Sequence, residues 1–312
     1  MYDQLGVIGC GLMGGSFALA LRHAGKVRRI VGHSASAATT ARAVTLGVID
    51  APCASAAEAA AGSDLVLVAV PVAASEATFM AIRDALASGA LAMDLGSTKS
   101  DVVAAARRGL GERIDSFVPA HPIAGKETAG VEHADAALYR GRWVVLTPLD
   151  VTPPALARRA AEAWTAVGAQ VRSMTAERHD AALAAVSHLP HLLAFAYIDA
   201  IMGQPAGDEF LSLAGPGFRD FTRIAAAEPS IWRDILLANR DEVLRQSRQF
   251  REALDLYEQA VRDGDAAAIE ALIRHASQAR LRWQPGTAPP SASASAEAAS
   301  PLAAATPSSP PR

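Results

Sequence analysis

The sequence predicts an α/β domain built on a doubly wound, mostly parallel sheet, followed by an all-helical domain. Three observations carry this. Short apolar runs recur at strand–helix spacing through the first half of the 312-residue chain. The first of them, "LGVIG" (5–9), runs directly into "CGLMGGSFA", a G-x-G-x-x-G turn that opens a helix. After Met174 strand signals become few, and the period is helical to Trp283. Together they define a Rossmann-type fold over residues 1–174, a helical domain over 175–284, and a tail over 285–312.

Each element follows from its own text. The helix after the glycine turn continues through Ala24, and "RIVGH" (29–33) supplies the second strand before an Ala-rich stretch. "LVLVAV" (65–70), "ALAMDL" (90–95), "FVPA" (117–120) and "WVVLT" (143–147) continue the series, and "AQVRSM" (169–174) reads as one last strand. Runs that are apolar at every position, not alternate ones, belong to strands covered by helices on both faces. In the second domain, "ERHDAALAAVSHLPHLLAFAYIDAIMG" is long and mostly apolar and reads as a core helix bent near Pro190. From Pro285 onward the text has no aromatic residue, little charge and many prolines. Such a segment buries too little apolar surface to offset its ordering entropy and is expected to be disordered.

Composition narrows the function. At 51% hydrophobic residues the chain has ample material for a core, and its net charge is only −3. No basic block or stripe is present, so nucleic acid is not an expected partner. The longest continuous apolar stretch is too short for a bilayer, and the N-terminus lacks the pattern of a signal peptide, so no membrane is expected either. Two cysteines, Cys10 and Cys53, stand in no metal or redox spacing and suit a reducing, cytoplasmic setting.

The motifs point to redox chemistry on a small molecule. Gly9 permits the tight turn, Gly11 lets a pyrophosphate approach the backbone, and Gly14 allows close helix–strand packing; Leu12 and Met13 open the helix whose N-terminus faces the phosphates. The second strand ends in "VGHSAS", where His33 and Ser34 stand in place of the acid that usually grips the adenosine ribose. An acid there repels a 2′-phosphate, so its absence admits NADP as well as NAD and slightly favours NADP. "MDLGSTKSD" puts Ser97 at the carboxyl edge of the sheet, as a ligand contact or a helix cap. "AHPIAGKETAG" puts His121 at the same edge, at the head of a polar loop that contains Glu127, where an imidazole is poised to exchange a proton. His188 and His191 in "SHLPH" lie three apart on one helix, but no third ligand is near, so no metal is expected and one of the two lines a pocket. "GPGFRDFTRIA" supplies Arg219, Asp220 and Arg223, and an arginine there can clamp a carboxylate.

Taken together, "GCGLMGGS", "DLGSTK", "HPIAGKETAG", "SHLPH" and "GFRDFTRIA" resemble the prephenate/arogenate dehydrogenase family of tyrosine biosynthesis, over about residues 5 to 250. The resemblance implies a homodimer formed through the helical domain. It implies oxidative decarboxylation of prephenate to 4-hydroxyphenylpyruvate and CO2 with reduction of NAD or NADP, or the same chemistry on arogenate to give tyrosine directly. His121 would accept the proton of the ring hydroxyl, with Ser97 helping to hold that hydroxyl and the nicotinamide. His191 and Arg223 would bind substrate, and Glu127 and Asp220 would organise the arginine. No accompanying mutase or regulatory segment is expected.

Two other readings compete. β-Hydroxyacid dehydrogenases share the layout but use a lysine in the second domain, and residues 175–284 contain no lysine. A non-catalytic NAD(P)-binding sensor would not need Ser97, His121 and Arg223 together.

Overall fold

The computed structural model describes residues 1–126 and 128–283. Six strands form one parallel sheet: β1 (Tyr2–Ile8), β2 (Val27–His33), β3 (Ala51–Pro52), β4 (Leu65–Val68), β5 (Leu91–Asp94) and β6 (Phe117–Val118). Their order, β3-β2-β1-β4-β5-β6, reverses direction beside β1 and so creates a crevice at the carboxyl ends of the strands. Helices α1 (Leu12–His23), α2 (Ala37–Thr45), α3 (Ala56–Ala60), α4 (Ser75–Ile82) and α5 (Ser100–Leu110) connect them.

The continuously apolar runs are explained by burial on both faces. Leu5, Val7, Leu65, Leu67, Leu91 and Met93 pack on one side with Phe17, Leu21, Tyr139 and Trp164. Their alternates Ile8, Val66, Val68 and Ala92 pack on the other with Phe79, Ile82 and Phe117. Burying each large side chain contributes about 1.5–3 kcal/mol.

The later runs depart from the single sheet expected. "FVPA" divides at Pro119, which has no N–H to extend a ladder. Beyond it, β7 (Ala120–Pro122) joins a second sheet, β7-β8-β9, with β8 (Trp143–Leu146) antiparallel to it and β9 (Gln170–Ser173) parallel to β8. Helix α6 (Pro154–Ala166) links β8 to β9, with Leu156, Ala160, Ala163 and Trp164 buried.

The long apolar segment also differs from a bent core helix. It comprises α7 (Ala176–Leu183), a π-helical turn (Ala184–His188) and α8 (Leu189–Met202). Pro190 lies in the first turn of α8, where its missing N–H costs little, so the irregularity precedes it as the π turn. Only Leu189 and Ala194 of α8 are buried, and Tyr197 and Met202 are exposed. By length and composition Ala176–Met202 could cross a membrane, but its first half is anchored by buried Asp180 to the backbone of Lys99 and Ser100. Helices α9 (Gly207–Ser212), α10 (Pro216–Thr222) and α11 (Pro229–Ala238) follow.

Met1–Val243 forms one compact unit and a second begins at Leu244. The first unit runs through residue 174, where the sequence reading divides the chain, because α7 is bonded to the β5–α5 region. The second unit contains most of α12 (Arg240–Arg262) and α13 (Ala266–Arg282), tied by Tyr257 Oη donating to the Leu272 carbonyl at 3.1 Å. The expected tail at 285–312 lies outside the described residues.

Candidate active site

The glycine turn has the shape its residues predict. Gly9 has φ +99°, and a Cβ there would lie 2.3 Å from the Ala69 carbonyl oxygen, so only glycine fits. A Cβ on Gly14 would lie 2.3 Å from the Gly9 oxygen, which fixes the close approach of α1 to β1. A Cβ on Gly11 would meet nothing within 4 Å, so this face of the turn is open. Gly11 caps α1 without any side-chain hydrogen bond, and the first turn, from Leu12 and Met13, contains no acidic residue. Open space, unclaimed helix N–H groups and no competing carboxylate fit a dinucleotide pyrophosphate.

At the end of β2, Ser34 Oγ accepts the Cys10 amide at 2.9 Å, which ties this loop to the glycine turn. His33 Nδ1 lies 3.1 Å from the Cys53 carbonyl. A carbonyl only accepts, so Nδ1 carries the proton and Nε2 is left for another partner. Ser36 is spent as the cap of α2, accepting the Thr39 amide.

His121 sits on β7, 8% exposed. Its strand is clamped by a buried ion pair that the sequence reading missed. Lys99 Nζ lies 2.5 Å from Asp94 Oδ2 and donates to the Ala120 carbonyl at 2.9 Å, while Asp94 Oδ1 accepts the Ala120 amide at 2.9 Å. Both backbone groups of the residue before His121 are thereby held to the carboxyl end of β5. Since β1 and β5 are parallel strands of one sheet, His121 and the glycine turn belong to the same edge.

Behind His121 lie two further residues that the sequence reading did not single out. His121 Nδ1 is 2.8 Å from His179 Nε2, and His179 Nδ1 is 2.8 Å from Asp180 Oδ1. Asp180 Oδ1 also accepts the Lys99 amide, and Oδ2 the Ser100 amide, each at 2.8 Å. The cap of α5 therefore comes from a residue about eighty positions away, and Ser97 and Thr98 do not supply it. Ser97 stays half-buried in the β5–α5 loop, two residues before the clamp lysine. The only local hint of this pair was "ERHD", an acid beside a histidine in the first turn of a helix.

The electrostatics suit a neutral base. Burial, then the neighbouring His179, Lys99 and His188, hold the His121 imidazole well below the ordinary histidine range. Burial alone would raise the Asp180 carboxyl, but hydrogen bonds from His179, Ser100 and Lys99 outweigh it and hold the group below its usual value.

The histidines of "SHLPH" separate in role. His188 is buried, accepts a hydrogen bond from Asn239 Nδ2 at 3.0 Å and is pushed by burial down to about 4. His191 Nδ1 donates to the Ser187 carbonyl at 2.8 Å, and its ring stacks on Trp232 at 3.5 Å. Burial and, after an opposing hydrogen bond to Ser187, the positive charge of Arg223 lower its pKa, so His191 and Arg223 share one electrostatic environment. Phe195, Pro229, Trp232 and Arg233 line a cavity of about 550 Å³ beside the stack. Asp220 pairs with its chain neighbour Arg219 on an exposed part of α10. Glu127 lies outside the described residues.

Two family profiles match the chain: prephenate dehydrogenase, nucleotide-binding domain, over residues 17–173, and prephenate dehydrogenase, dimerization domain, over residues 175–275. A cyclohexadienyl dehydrogenase from Zymomonas mobilis subsp. mobilis is 31% identical over 283 residues, spanning 90% of this chain and 96% of that protein. A prephenate dehydrogenase from Bacillus subtilis is 33% identical over 289 residues, spanning 90% and 75%. The crystal structure of prephenate dehydrogenase from Aquifex aeolicus in complex with hydroxyphenyl propionate and NAD+ superposes with a TM-score of 0.81 at 36% identity, covering 90% of this chain and 98% of that one. With both halves matched in their order, the chain belongs to the prephenate dehydrogenase family of NAD(P)-dependent oxidoreductases.

Proposed function

We propose that this chain converts prephenate to 4-hydroxyphenylpyruvate and CO2, with His121 as the base. The observation that carries the reading is a buried, neutral His121 whose Nδ1 is already engaged, held at the sheet edge that bears the glycine turn. When bound along Gly9–Gly14, the dinucleotide supplies a nicotinamide that takes the hydride from C4 of the substrate. His121 Nε2 takes the proton of the 4-hydroxyl, with Ser97 helping to hold that oxygen. As the ring carboxylate leaves as CO2 and the ring becomes aromatic, the same nitrogen returns the proton to the phenolic oxygen. Arg223 binds a substrate carboxylate, His191 binds substrate beside it, and Glu127 and Asp220 shape the surroundings of the arginine. Residues 1–174 serve the cofactor and 175–284 the substrate and assembly.

Arogenate is a second substrate, favoured by the likeness to a cyclohexadienyl dehydrogenase. Both NAD and NADP are accepted, because His33 and Ser34 bring no negative charge to the end of β2 and the Ser34 hydroxyl still has a proton to donate. The chain assembles as a homodimer in the cytoplasm: Tyr197, Phe221, Ile231 and Leu237 form exposed apolar surface in the segment matched as a dimerization domain. The test is a two-by-two assay, prephenate or arogenate with NAD+ or NADP+, read as absorbance of the reduced cofactor. No turnover in any of the four combinations would refute the proposal.

A further inference from the structure

We propose that His179 and Asp180 act as a proton-ordering relay behind His121, fixing its Nδ1–H tautomer so that the lone pair lies on Nε2. The inference rests on the reading of His121 as the base.

The order of protons follows from the far end of the chain of contacts. A carboxylate only accepts, so His179 Nδ1, 2.8 Å from Asp180 Oδ1, carries a proton. In the neutral ring the remaining nitrogen of His179, Nε2, is a lone pair facing His121 Nδ1 at 2.8 Å, which must donate. His121 is left with its lone pair on Nε2, the arrangement that can take a hydroxyl proton. The opposite order would put the proton on Nε2 and abolish the base.

The relay is held rigidly. His179 is wholly buried, and its ring stands edge-on to His121 at 67°. Both Asp180 oxygens accept amides of the α5 N-terminus, and its backbone carbonyl accepts Asn239 Nδ2 at 2.8 Å, while the same amide also meets His188. Asp180 therefore cannot turn away from His179. Lys99 and His188 also face His121, with Asp94 behind Ala120, and Asp180 is the acid reached through the relay. When the substrate O–H bond breaks and the His121 Nε2–H bond forms, the new cation donates through Nδ1 to His179, whose other side rests on the Asp180 carboxylate. His179 and Asp180 touch neither substrate nor cofactor in this account; they are positioning residues.

The experiment compares His179→Phe, which has no acceptor, with His179→Gln, whose carbonyl can still accept from His121 Nδ1. Wild type and variants are assayed with prephenate, and the tautomer of His121 is read from long-range 1H–15N spectra of 15N-labelled enzyme. Removing the orienting partner of a catalytic histidine can cost up to about 10⁴-fold. His179→Phe is expected to lower kcat roughly 100-fold, with KM within about threefold, and to shift His121 away from Nδ1–H. His179→Gln should keep the tautomer and recover at least tenfold of the lost kcat. Equal loss in both variants, or an unchanged tautomer in His179→Phe, overturns the relay. If His179→Phe does not fold, a Gln variant that loses the Nδ1–H tautomer, or keeps it with kcat reduced a hundredfold, overturns it too. His121→Asn separates the two claims: full turnover in that variant refutes the base itself, whereas its inactivity beside an active His179→Phe refutes only the relay.

Discussion

Lys99→Met removes an ammonium from a place that water does not reach. Lys99 is fully buried and Asp94 is 2% exposed, so the pair is little screened by solvent. The substitution preserves most of the side-chain stem but leaves Asp94 with two amide donors, from Gly96 and Ala120, and takes a donor from the Ala120 carbonyl. Breaking a buried pair by removing one partner costs about 3–5 kcal/mol, because the other charge stays buried without compensation. At about 2–4 °C per kcal/mol for a domain of this size, the Tm should fall by roughly 6–20 °C. Asp94→Asn placed on top of Lys99→Met removes the stranded charge and should recover at least half of the loss. Differential scanning calorimetry of the three proteins checks this. A loss below about 1 kcal/mol in Lys99→Met, or no recovery in the double variant, would refute the argument that a stranded charge sets the cost. Because the pair grips Ala120, kcat should fall in the folded fraction as well.

Arg223→Ala should raise KM for prephenate far more than it lowers kcat, since it removes binding shared by ground and transition states; an unchanged KM returns Arg223 to a structural role. Stability should depend on His188, which titrates at about 4 in the fold against 6.5 when unfolded. The unfolded chain binds the extra proton first, so this contribution is intact above about 6.5 and is lost as pH falls toward 4. Burial lowers His121 in the same direction. Urea midpoints measured from pH 7 to 4.5 should therefore fall; a flat profile contradicts the burial argument. For the cofactor, kcat/KM with NADP+ should at least match that with NAD+, and His33→Asp should shift the ratio at least tenfold toward NAD+. A hundredfold preference for NAD+ in the wild type would mean that another group holds the ribose.

Much of this was legible in the text of the chain because the signals were local. A glycine that must take φ +99° and another whose Cβ would collide with backbone leave a fixed spacing in the sequence. Strands buried on both faces leave unbroken apolar runs. The division of "FVPA" was less visible, since one proline separates strands of two sheets without interrupting the apolar pattern. Asp180 was invisible for another reason: it caps α5 from α7, and no residue near Lys99 announces that partner. Lys99 stands in the same "MDLGSTKSD" text that puts Ser97 at the ligand edge, yet it faces inward to Asp94. The exposed face of α8 passed for core because an apolar side chain reads the same in the text whether it is buried or exposed.

The central claim is tested most directly by His121→Asn assayed with prephenate and saturating cofactor. Removing general-base assistance costs roughly 10²–10⁴-fold. The variant should keep its Tm within a few degrees and its affinity for the dinucleotide while kcat falls at least a hundredfold. A kcat within threefold of the wild type would contradict the assignment of His121 as the base.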